Sequence, residues 1–578
     1  MFLRTVSKQS QEPDFKKIEQ VVMLFNQGRF TDAETITRKI TVKFPDYGFG
    51  WKCLGAILKA MERTRDSLKS MQRAAELMPN DAEAQSNLGV TLKDLGHLEE
   101  AEACYLRALK IRPDFAEALN NLGVVLEDMG RLREAEARYR RALQIKPDVA
   151  DILSNLGHVL NDLGQVIEAE ACQRRALAIK PDFAKAHNSL GIIQNDLCLL
   201  DEAEASFRRA LQIKPDVASY YYNLGHNLSK QRRFEEAETC YRHAINIKSD
   251  CVQAAFNLAI LLLTLGRYTE AWPLYEARYE LIEKERSTWI PDLPYPQWRG
   301  EPLTGKSLVI WPEQGYGDYI QFIRYASLLK ERGLSRLSLF CPVSLEELFK
   351  TADGIDAVIT DIALLPRHDY WSFPLSMPLY FGSSLDTIPT LLPYLHPLPD
   401  RVERWSNRLP KEGLKVGLVW KGSADHRNDA ARSLPDLSTL APLWTLPDVT
   451  FISLQKGQGE ALQFQTDQPV IDLGKDIADF ADTAAIVSQL DLVICVDTAI
   501  AHLTGALGKP CWILLPYFGT DWRWLLDRRD SPWYPGCVRL FHQTSGGDWE
   551  GVVTQILEAL ETLTSDGIFN SMRLNLLQ

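Results

Sequence analysis

Apolar and polar positions alternate with a helical period through the N-terminal half of the chain. Within residues 116–147 the apolar positions form two groups separated by a glycine: Leu119, Leu122 and Leu126, then Gly130, then Ala135, Tyr139 and Ala142. This spacing predicts two antiparallel helices, the first of which ends at the glycine. Pro147 ends the second helix because proline has no N–H and clashes with the preceding turn.

The same pattern returns every 34 residues. Three rows of residues carry the repeat: Pro45, Pro79, Pro113, Pro147, Pro181 and Pro215; Gly55, Gly89, Gly123, Gly157, Gly191 and Gly225; and Ala101, Ala135, Ala169, Ala203, Ala237 and Ala271. A fixed period of this length predicts a stack of helix pairs. The pattern resembles the tetratricopeptide repeat (TPR). About eight repeats over residues 11–282, after an N-terminal tail at 1–10, would form a right-handed α-solenoid with an extended concave face.

Two rows of polar residues follow the first helix of successive repeats. The first row is Asn87, Asn121, Asn155, Asn223 and Asn257, with Ser189 in the gap, and seven residues later come Asp94, Asp128, Asp162 and Asp196. Seven residues are about two helical turns, so both rows are predicted on one face of the stack. An amide can both donate to and accept from a peptide backbone. The alternative is that these residues are solvated or bond neighbouring repeats.

The asparagine row resembles the one that lines the TPR superhelix of the O-linked N-acetylglucosamine transferases. That resemblance implies an extended protein acceptor held by its backbone in the concave groove. By itself, the first half indicates only that a protein is bound.

After a linker at 283–304 the period changes to short apolar runs separated by turns. The predicted strands are 307–311, 337–340, 416–420, 449–455, 491–497 and 511–516, with a helix at 319–332 after the first of them. The pattern predicts two Rossmann-like α/β units, residues 305–400 and 401–578. Two such units would face their crevices toward each other and hold a ligand between them, which is the GT-B arrangement.

Several motifs in this half resemble the heptosyltransferase-like glycosyltransferases. They are a Gly-Asp turn after the first strand (EQGYGD, 313–318), VWKGS (419–423), SLQKG (453–457), DTAIAHLTGALGKP (497–510) and DWRW (521–524). Combined with the repeats, they resemble the bacterial TPR-linked glycosyltransferases, some of which modify flagellin. The resemblance implies a nucleotide-sugar donor, bound by the second α/β unit, and an acceptor bound on the side of the first.

The segment after Asp497 is a candidate phosphate site on physical grounds. A predicted strand brings Asp497 and Thr498 to its carboxyl end, and the small residue Ala499 leaves the N–H groups of the following helix uncovered. His502 lies in the first turn of that helix and could donate to a phosphate oxygen. The alternative for His502 is an ordinary core or surface residue.

Asp318 is the candidate catalytic base. Gly315 and Gly317 allow the turn after the first strand to bend, which brings this carboxylate to the mouth of the crevice. Sugar transfer to a hydroxyl needs a group that removes the acceptor proton, and the resemblance assigns that role to an aspartate in this turn. Asp318 could also serve as a helix cap.

Basic and aromatic residues complete the predicted donor site. Lys421 and Arg432, and more weakly Lys456, could neutralise charge on the departing phosphates, or they could be ordinary surface charges. Trp522, Trp524 and Trp533 could stack on a base or sugar, although aromatic residues are more often core.

Composition narrows the possible partners. The 64 basic and 76 acidic residues give a net charge of −12, which does not favour nucleic acid or an anionic membrane. No apolar run reaches a membrane-spanning length, and the ten cysteines show no paired spacing, so we expect a cytoplasmic protein. D-x-D, H-E-x-x-H and EF-hand patterns are missing from the sequence, which predicts no metal and no cofactor beyond the nucleotide-sugar co-substrate.

The resulting expectation is a glycosyltransferase that transfers a sugar from a nucleotide-sugar to Ser or Thr hydroxyls of a protein held by the repeats. Two alternatives stay open: a non-catalytic TPR adaptor with a degenerate GT-B half, and an enzyme that acts on a lipopolysaccharide or other glycan. The donor nucleotide, the sugar and the oligomeric state do not follow from the sequence.

Overall fold

The computed structural model divides the protein into two compact units, Met1–Gln231 and Arg232–Gln578. It describes residues 13–285, 290–426, 428–457 and 469–565. The predicted N-terminal tail at 1–10 therefore lies outside the described residues, as does the 286–289 segment of the predicted linker.

All of the regular secondary structure described in the first unit is α-helical. Its helices are α1 (Phe15–Asn26), α2 (Phe30–Lys43), α3 (Gly48–Ala60), α4 (Thr64–Leu77), α5 (Ala82–Asp94), α6 (Leu98–Ile111), α7 (Ala116–Asp128), α8 (Leu132–Ile145), α9 (Ala150–Asp162), α10 (Val166–Ile179), α11 (Ala184–Asp196), α12 (Leu200–Ile213) and α13 (Ala218–Lys230). Each helix packs on the next one along the chain. This arrangement confirms the predicted helical solenoid.

Close packing inside each pair explains the glycine row. A β-carbon on Gly123 in α7 would lie 2.5 Å from the ring of Tyr139 in α8, and Ala135 beside that ring is fully buried. A larger residue at either position would push the two helices apart. Gly130 has a φ of +74° between the two helices, a backbone conformation that favours glycine.

The second unit begins with four more helices of the solenoid half. They are α14 (Phe234–Ile247), α15 (Val252–Thr264), α16 (Tyr268–Tyr275) and α17 (Arg278–Glu285). In α16, Tyr268 and Trp272 pack edge-on against Trp522, and the Tyr268 hydroxyl accepts a hydrogen bond from Trp533 Nε1 at 3.0 Å. Because these aromatic side chains are buried together, the end of the predicted array at 11–282 packs with the α/β part, and the unit boundary lies inside that array.

The first α/β lobe contains a four-stranded parallel sheet. Its elements are β1 (Ser307–Ile310), α18 (Tyr316–Phe322), α19 (Ala326–Glu331), β2 (Arg336–Phe340), α20 (Val343–Phe349), β3 (Ala357–Ile359), β4 (Tyr370–Ser372) and α21 (Met377–Tyr380). The next helix, α22 (Pro399–Ser406), bonds Asp482 of the second lobe through Arg401 and Trp405. The strand order is β3-β2-β1-β4. The helix predicted at 319–332 is two helices, α18 and α19, joined by a 3₁₀ turn at Ile323–Tyr325.

The second lobe contains a six-stranded parallel sheet. Its elements are β5 (Leu414–Val419), α23 (Asp429–Arg432), β6 (Val449–Ser453), β7 (Val470–Asp472), α24 (Phe480–Val487), β8 (Leu492–Val496), α25 (Ala499–Ala506), β9 (Cys511–Leu515), β10 (Val538–His542) and α26 (Trp549–Ser565). The order is β10-β9-β8-β5-β6-β7. The order reverses beside β5, as it does in the doubly wound nucleotide-binding folds. The predicted α/β class is therefore confirmed.

The two lobes of the second unit contact each other through buried polar groups. Arg324, in the 3₁₀ turn of the first lobe, donates to the backbone carbonyl of Trp533 in the second at 2.6 Å. The backbone N–H of Tyr394 donates to the carbonyl of Ala506 in α25 at 3.1 Å. Within the described residues, no helix combines the length and the apolar character needed to span a bilayer.

Candidate functional site

The candidate residues lie at the points where the strand order of each sheet reverses. In the first sheet that point lies between β1 and β4, and the Gly315–Asp318 turn follows β1. In the second it lies between β5 and β8, where the Trp420–Ser423 loop and the Asp497–Thr498 turn leave the sheet. Ligands of open parallel sheets bind in the crevice at the carboxyl ends of the strands at such switch points.

The turn after β1 contacts the helix after β8 directly. A β-carbon on Gly317 would lie 2.7 Å from Cδ2 of His502 and 3.3 Å from the α-carbon of Ala499. Any side chain at position 317 would therefore collide with α25. The glycine lets the turn that contains Asp318 approach the start of that helix, as a site shared by two lobes requires.

Asp318 is held by two donors. Its Oδ2 accepts a hydrogen bond from the backbone N–H of Gly315 at 2.9 Å, and its Oδ1 accepts from Nη2 of Arg523. Asp318 thus does cap the start of α18, and it also faces the second lobe. Burial raises the pKa of Asp318, while the positive charge of Arg523 opposes that rise.

The turn after β8 carries unsatisfied polar groups. Thr498 occupies the N-cap position of α25 but makes no side-chain capping bond, and its buried Oγ1 has no hydrogen-bond partner in the described part of the chain. Buried hydroxyls are normally bonded, so this one is available to a ligand. Burial and the negative charge of Asp521 raise the pKa of Asp497 to about 7, against the opposing charge of Arg432.

His502 is packed inside the second unit. Its Nδ1 bonds the hydroxyl of Tyr534 at 2.9 Å, its ring stacks on Trp524, and it is 6% exposed. Burial, and then the charges of Arg523 and Arg324, lower the pKa of His502 well below its usual value. The imidazole is therefore neutral and lies behind the Gly317 turn. This placement favours the core alternative for His502 over direct donation to a phosphate.

The predicted basic residues occupy different positions around the switch point. Gln455 joins the loops after β5 and β6, since its Oε1 accepts from the backbone N–H of Lys421 at 3.0 Å and its Nε2 donates to the carbonyl of Lys456 at 3.3 Å. The Arg432 side chain is 14% exposed, lies 3.5 Å from Asp429, and lowers the pKa of Asp497. The charge of Arg432 thus acts on the turn after β8, whereas Lys456 is exposed.

Two of the three predicted stacking tryptophans are core residues. Trp522 is 4% exposed and packs against Tyr268 and Trp272, and fully buried Trp533 donates to Tyr268. Trp524 is also fully buried, but it stacks on His502 next to the candidate site. None of them offers an open face to a base or sugar.

Sequence reasoning missed Arg523. Its guanidinium contacts Asp318, Asp521 and Gln321, and its side chain is 5% exposed. The DWRW motif contained it, but its partners at 318 and 321 lie about 200 positions away. A buried arginine between two carboxylates cannot be recognised before the fold brings them together.

The two polar rows of the repeats differ in their contacts. Asn155 donates to Asn120 at 3.0 Å and accepts from Lys185 at 2.7 Å, and Asn223 donates to Asn188 at 2.9 Å. These two asparagines bond neighbouring repeats, as the alternative interpretation predicted. Asn87, Asn121 and Asn257 are partly exposed; Asp94, Asp128 and Asp162 are exposed. Asp94 pairs with Lys59 at 2.9 Å.

Family models match this chain in its repeats. Models of the tetratricopeptide repeat family match residues 91–130, 128–164, 149–180, 182–250 and 222–282. These matches support TPR protein-interaction repeats in the N-terminal half.

One curated relative is Protein FlbA of Caulobacter vibrioides (strain ATCC 19089 / CIP 103742 / CB 15). It is 29% identical over 316 residues, which cover 50% of this chain and 52% of FlbA. The chain thus spans about half the length of this curated relative.

Solved TPR structures also match. YrrB, described as a TPR protein with an unusual peptide-binding site, is 26% identical, and the match covers 33% of this chain and 98% of YrrB at a TM-score of 0.27. TTC0263, a thermophilic TPR protein of Thermus thermophilus, is 24% identical, and the match covers 32% of this chain and 99% of that protein at a TM-score of 0.29.

Proposed function

We propose that this protein is a glycosyltransferase that transfers a sugar from a nucleotide-sugar to Ser or Thr hydroxyls of a protein acceptor bound by its repeats. The proposal rests chiefly on one observation: the Gly315–Asp318 turn at the switch point of one parallel sheet contacts, through Gly317, the helix that begins after the Asp497–Thr498 turn at the switch point of the other. Such a pair of crevices suits a nucleotide on one side and its acceptor on the other.

The donor phosphates would bind where α25 begins. The uncapped N–H groups of this helix and its dipole favour an anion, and the unpartnered Thr498 hydroxyl can donate to a phosphate oxygen. Arg432 lies near this turn and would balance the charge of the leaving diphosphate. Lys421 and Lys456, on the loops that Gln455 joins, would assist.

Asp318 would act as the general base. The acceptor oxygen attacks the anomeric carbon, the bond from that carbon to the phosphate oxygen breaks, and the nucleoside diphosphate leaves with the bonding electrons. The acceptor proton passes to the Asp318 carboxylate, which has about four acceptor positions and uses two of them for Gly315 and Arg523. Its carboxylate can therefore still accept a proton.

The roles of Asp318 and Thr498 are tested with single substitutions that change little of the side-chain volume. Asp318→Asn is expected to lower donor hydrolysis and transfer by about 100-fold or more, since a positioned base contributes at least that much. It should leave nucleotide binding by calorimetry nearly intact, whereas Thr498→Ala should weaken that binding. Asp386→Asn, at an exposed aspartate of the same unit, is the matched control.

Binding of no nucleotide or nucleotide-sugar from a broad panel would contradict the proposal and favour the adaptor alternative. Full turnover by a folded Asp318→Asn variant would remove the base assignment while leaving the enzyme class intact.

The acceptor side is tested by shortening the chain. A protein that begins at Arg232 keeps the helices that pack on the α/β part, so it should retain donor hydrolysis. It should lose modification of a co-expressed acceptor protein, measured as added mass on Ser or Thr. Unchanged acceptor use by the shortened chain would instead support a glycan acceptor.

A further inference from the structure

Arg523 joins the two lobes at the candidate base. Its Nη2 donates to Asp318 Oδ1 and its Nε donates to Gln321 Oε1, both in α18 of the first lobe. Its Nη1 donates to both oxygens of Asp521 in the second lobe, at 3.0 and 2.9 Å. One buried guanidinium therefore uses all of its nitrogens on side chains from two lobes.

We infer that Arg523 is a positioning residue that holds the Asp318 carboxylate ionised and in one orientation, so that its free lone pairs face the acceptor hydroxyl. This inference rests on the proposed function. Arg523 touches neither substrate nor reacting atoms in this scheme and acts only through Asp318.

The geometry supports this role over a purely structural one. Asp318 could cap α18 with its Oδ2 alone, as its bond to Gly315 shows. The second oxygen is bound by a charged donor, and a charge-assisted bond of this kind is roughly twice as strong as a neutral one. Asp521 in turn fixes the guanidinium, because it accepts from Nη1 and from the backbone N–H of Arg523 at 2.9 Å. The orientation of the base is thus set by a chain of directed bonds.

Other charged or titratable groups act on Asp318 from the surrounding elements. They are Asp521 and Arg523 in the loop before β10, Glu313 after β1, His426 after β5 and Tyr275 in α16. Arg523 is the only cation in this set of described groups when His426 is neutral. Burial and the charges of Asp521 and Glu313 favour the protonated carboxyl, and Arg523 opposes them more strongly than the backbone N–H of Gly315 does.

The test compares Arg523→Gln and Arg523→Lys in the full chain. Carboxyl ¹³C NMR, with Asp318 assigned from the Asp318→Asn spectrum, reads the titration of the base without requiring activity. Arg523→Gln should move the titration midpoint of Asp318 upward by about 1 to 3 pH units, since that is the usual effect of an adjacent arginine on an aspartate. The acid side of the pH profile of transfer should move with it.

Arg523→Lys keeps the charge but cannot contact Asp318, Asp521 and Gln321 together. It should move the titration midpoint of Asp318 less than Arg523→Gln does while still lowering kcat. If Arg523→Gln does not fold, the midpoint is measured in Arg523→Lys instead. Arg324→Gln is the matched control, because Arg324 is a buried lobe-bridging arginine that contacts Trp533, Pro389 and Tyr394 and not Asp318.

An Asp318 midpoint that is the same in the parent and in Arg523→Gln would overturn the inference. Equal movement in Arg324→Gln would do so too, because it would assign the effect to lobe contact in general. A parent protein without any transfer activity would refute the proposed function, and the NMR titration would still decide whether Arg523 controls the Asp318 carboxylate.

Discussion

The two units of this protein use charged residues in opposite ways. In the first unit ion pairs repeat with the helices: Arg63 pairs with Glu34 and Arg131 with Glu102, each 29 residues apart. The arginine side chains of these pairs are 37–40% exposed. In the second unit Arg278 pairs with Glu313, and Arg523 with Asp318, with both arginines almost completely buried.

The ion pairs of the first unit thus stay at the surface, whereas those of the second unit are buried, which costs hydration energy. Exposed pairs are worth little because water screens them, whereas each buried ion loses several kcal/mol of hydration that only good geometry returns. Because burying an ion pair is costly, a buried pair that contributes little to packing is a candidate for a functional role. Both buried pairs of the second unit lie around the turn after β1.

The largest effect is expected at the Arg278–Glu313 pair. Arg278 also bonds Glu276 and the hydroxyl of Ser376, and Arg278→Ala removes the guanidinium that donates to both oxygens of the fully buried Glu313 carboxylate. We expect a loss of about 3 to 5 kcal/mol in the free energy of unfolding of the second unit, measured by urea denaturation.

The matching pair in the first unit should behave differently. Arg140→Ala removes ion pairs to Glu136 and Glu168 whose arginine is 41% exposed, so we expect a loss below about 1 kcal/mol. Equal losses in the two units would contradict the contrast drawn between them.

An intermediate effect on stability is expected at two glycines that lie in helices and pack against the ring of a tyrosine. A β-carbon would lie 2.5 Å from Tyr139 at Gly123 and 2.4 Å from Tyr534 at Gly505. Alanine at either position should cost about 1 to 3 kcal/mol by overpacking, offset by about 1 kcal/mol of better helix propensity.

Donor hydrolysis should distinguish the Gly505→Ala variant from the Gly123→Ala variant. Gly505→Ala displaces the tyrosine whose hydroxyl bonds His502, behind the Gly317 turn, so donor hydrolysis should fall as well as stability. Gly123→Ala should lower the melting temperature and leave donor hydrolysis unchanged. A Gly505→Ala protein with normal hydrolysis would show that the packing behind the turn does not position the site.

An effect of a different kind, a pH dependence of stability, is expected at Asp497. The pKa of Asp497 is raised to about 7 in the folded protein, above its ordinary value of 3.8, so the folded state binds more protons than the unfolded state between these values. Stability should therefore fall as the pH rises from about 4 to about 7. The Asp497→Asn variant should lack this loss of stability, measured as the free energy of unfolding from denaturation curves at several pH values. An unchanged slope would show that Asp497 is ionised throughout.

Much of the second unit could be predicted from short apolar runs. The predicted strands at 307–311, 416–420 and 511–516 match β1, β5 and β9 to within two residues, because each is a buried parallel strand bounded by turns. Strands β3, β4, β7 and β10 were missed. The first three have only three residues each and no fully buried run, and the buried residues of β10 are interrupted by a partly buried position. Too few residues carry the pattern there.

The candidate site was predicted only in part. Asp318, Asp497 and Thr498 follow strands, and the carboxyl end of a strand can be read from the sequence. His502 looked like a phosphate ligand because of its place in a motif, but its burial against Tyr534 depends on residues 32 positions away. The asparagine row was predicted on one face, but the bonds of Asn155 and Asn223 to neighbouring repeats depend on how the helices stack.

The sequence by itself determined the repeat array, the change to α/β structure and the residues at the strand ends, because each depends on local periodicity and on steric limits at glycine and proline. The tertiary structure alone decided that the strand order reverses at both candidate turns, that the last helices of the array pack with the α/β lobes, and that Arg523 faces Asp318. These facts depend on contacts between residues up to 265 positions apart. Such contacts leave no periodic pattern in the sequence, since they are fixed only when burial brings distant side chains together.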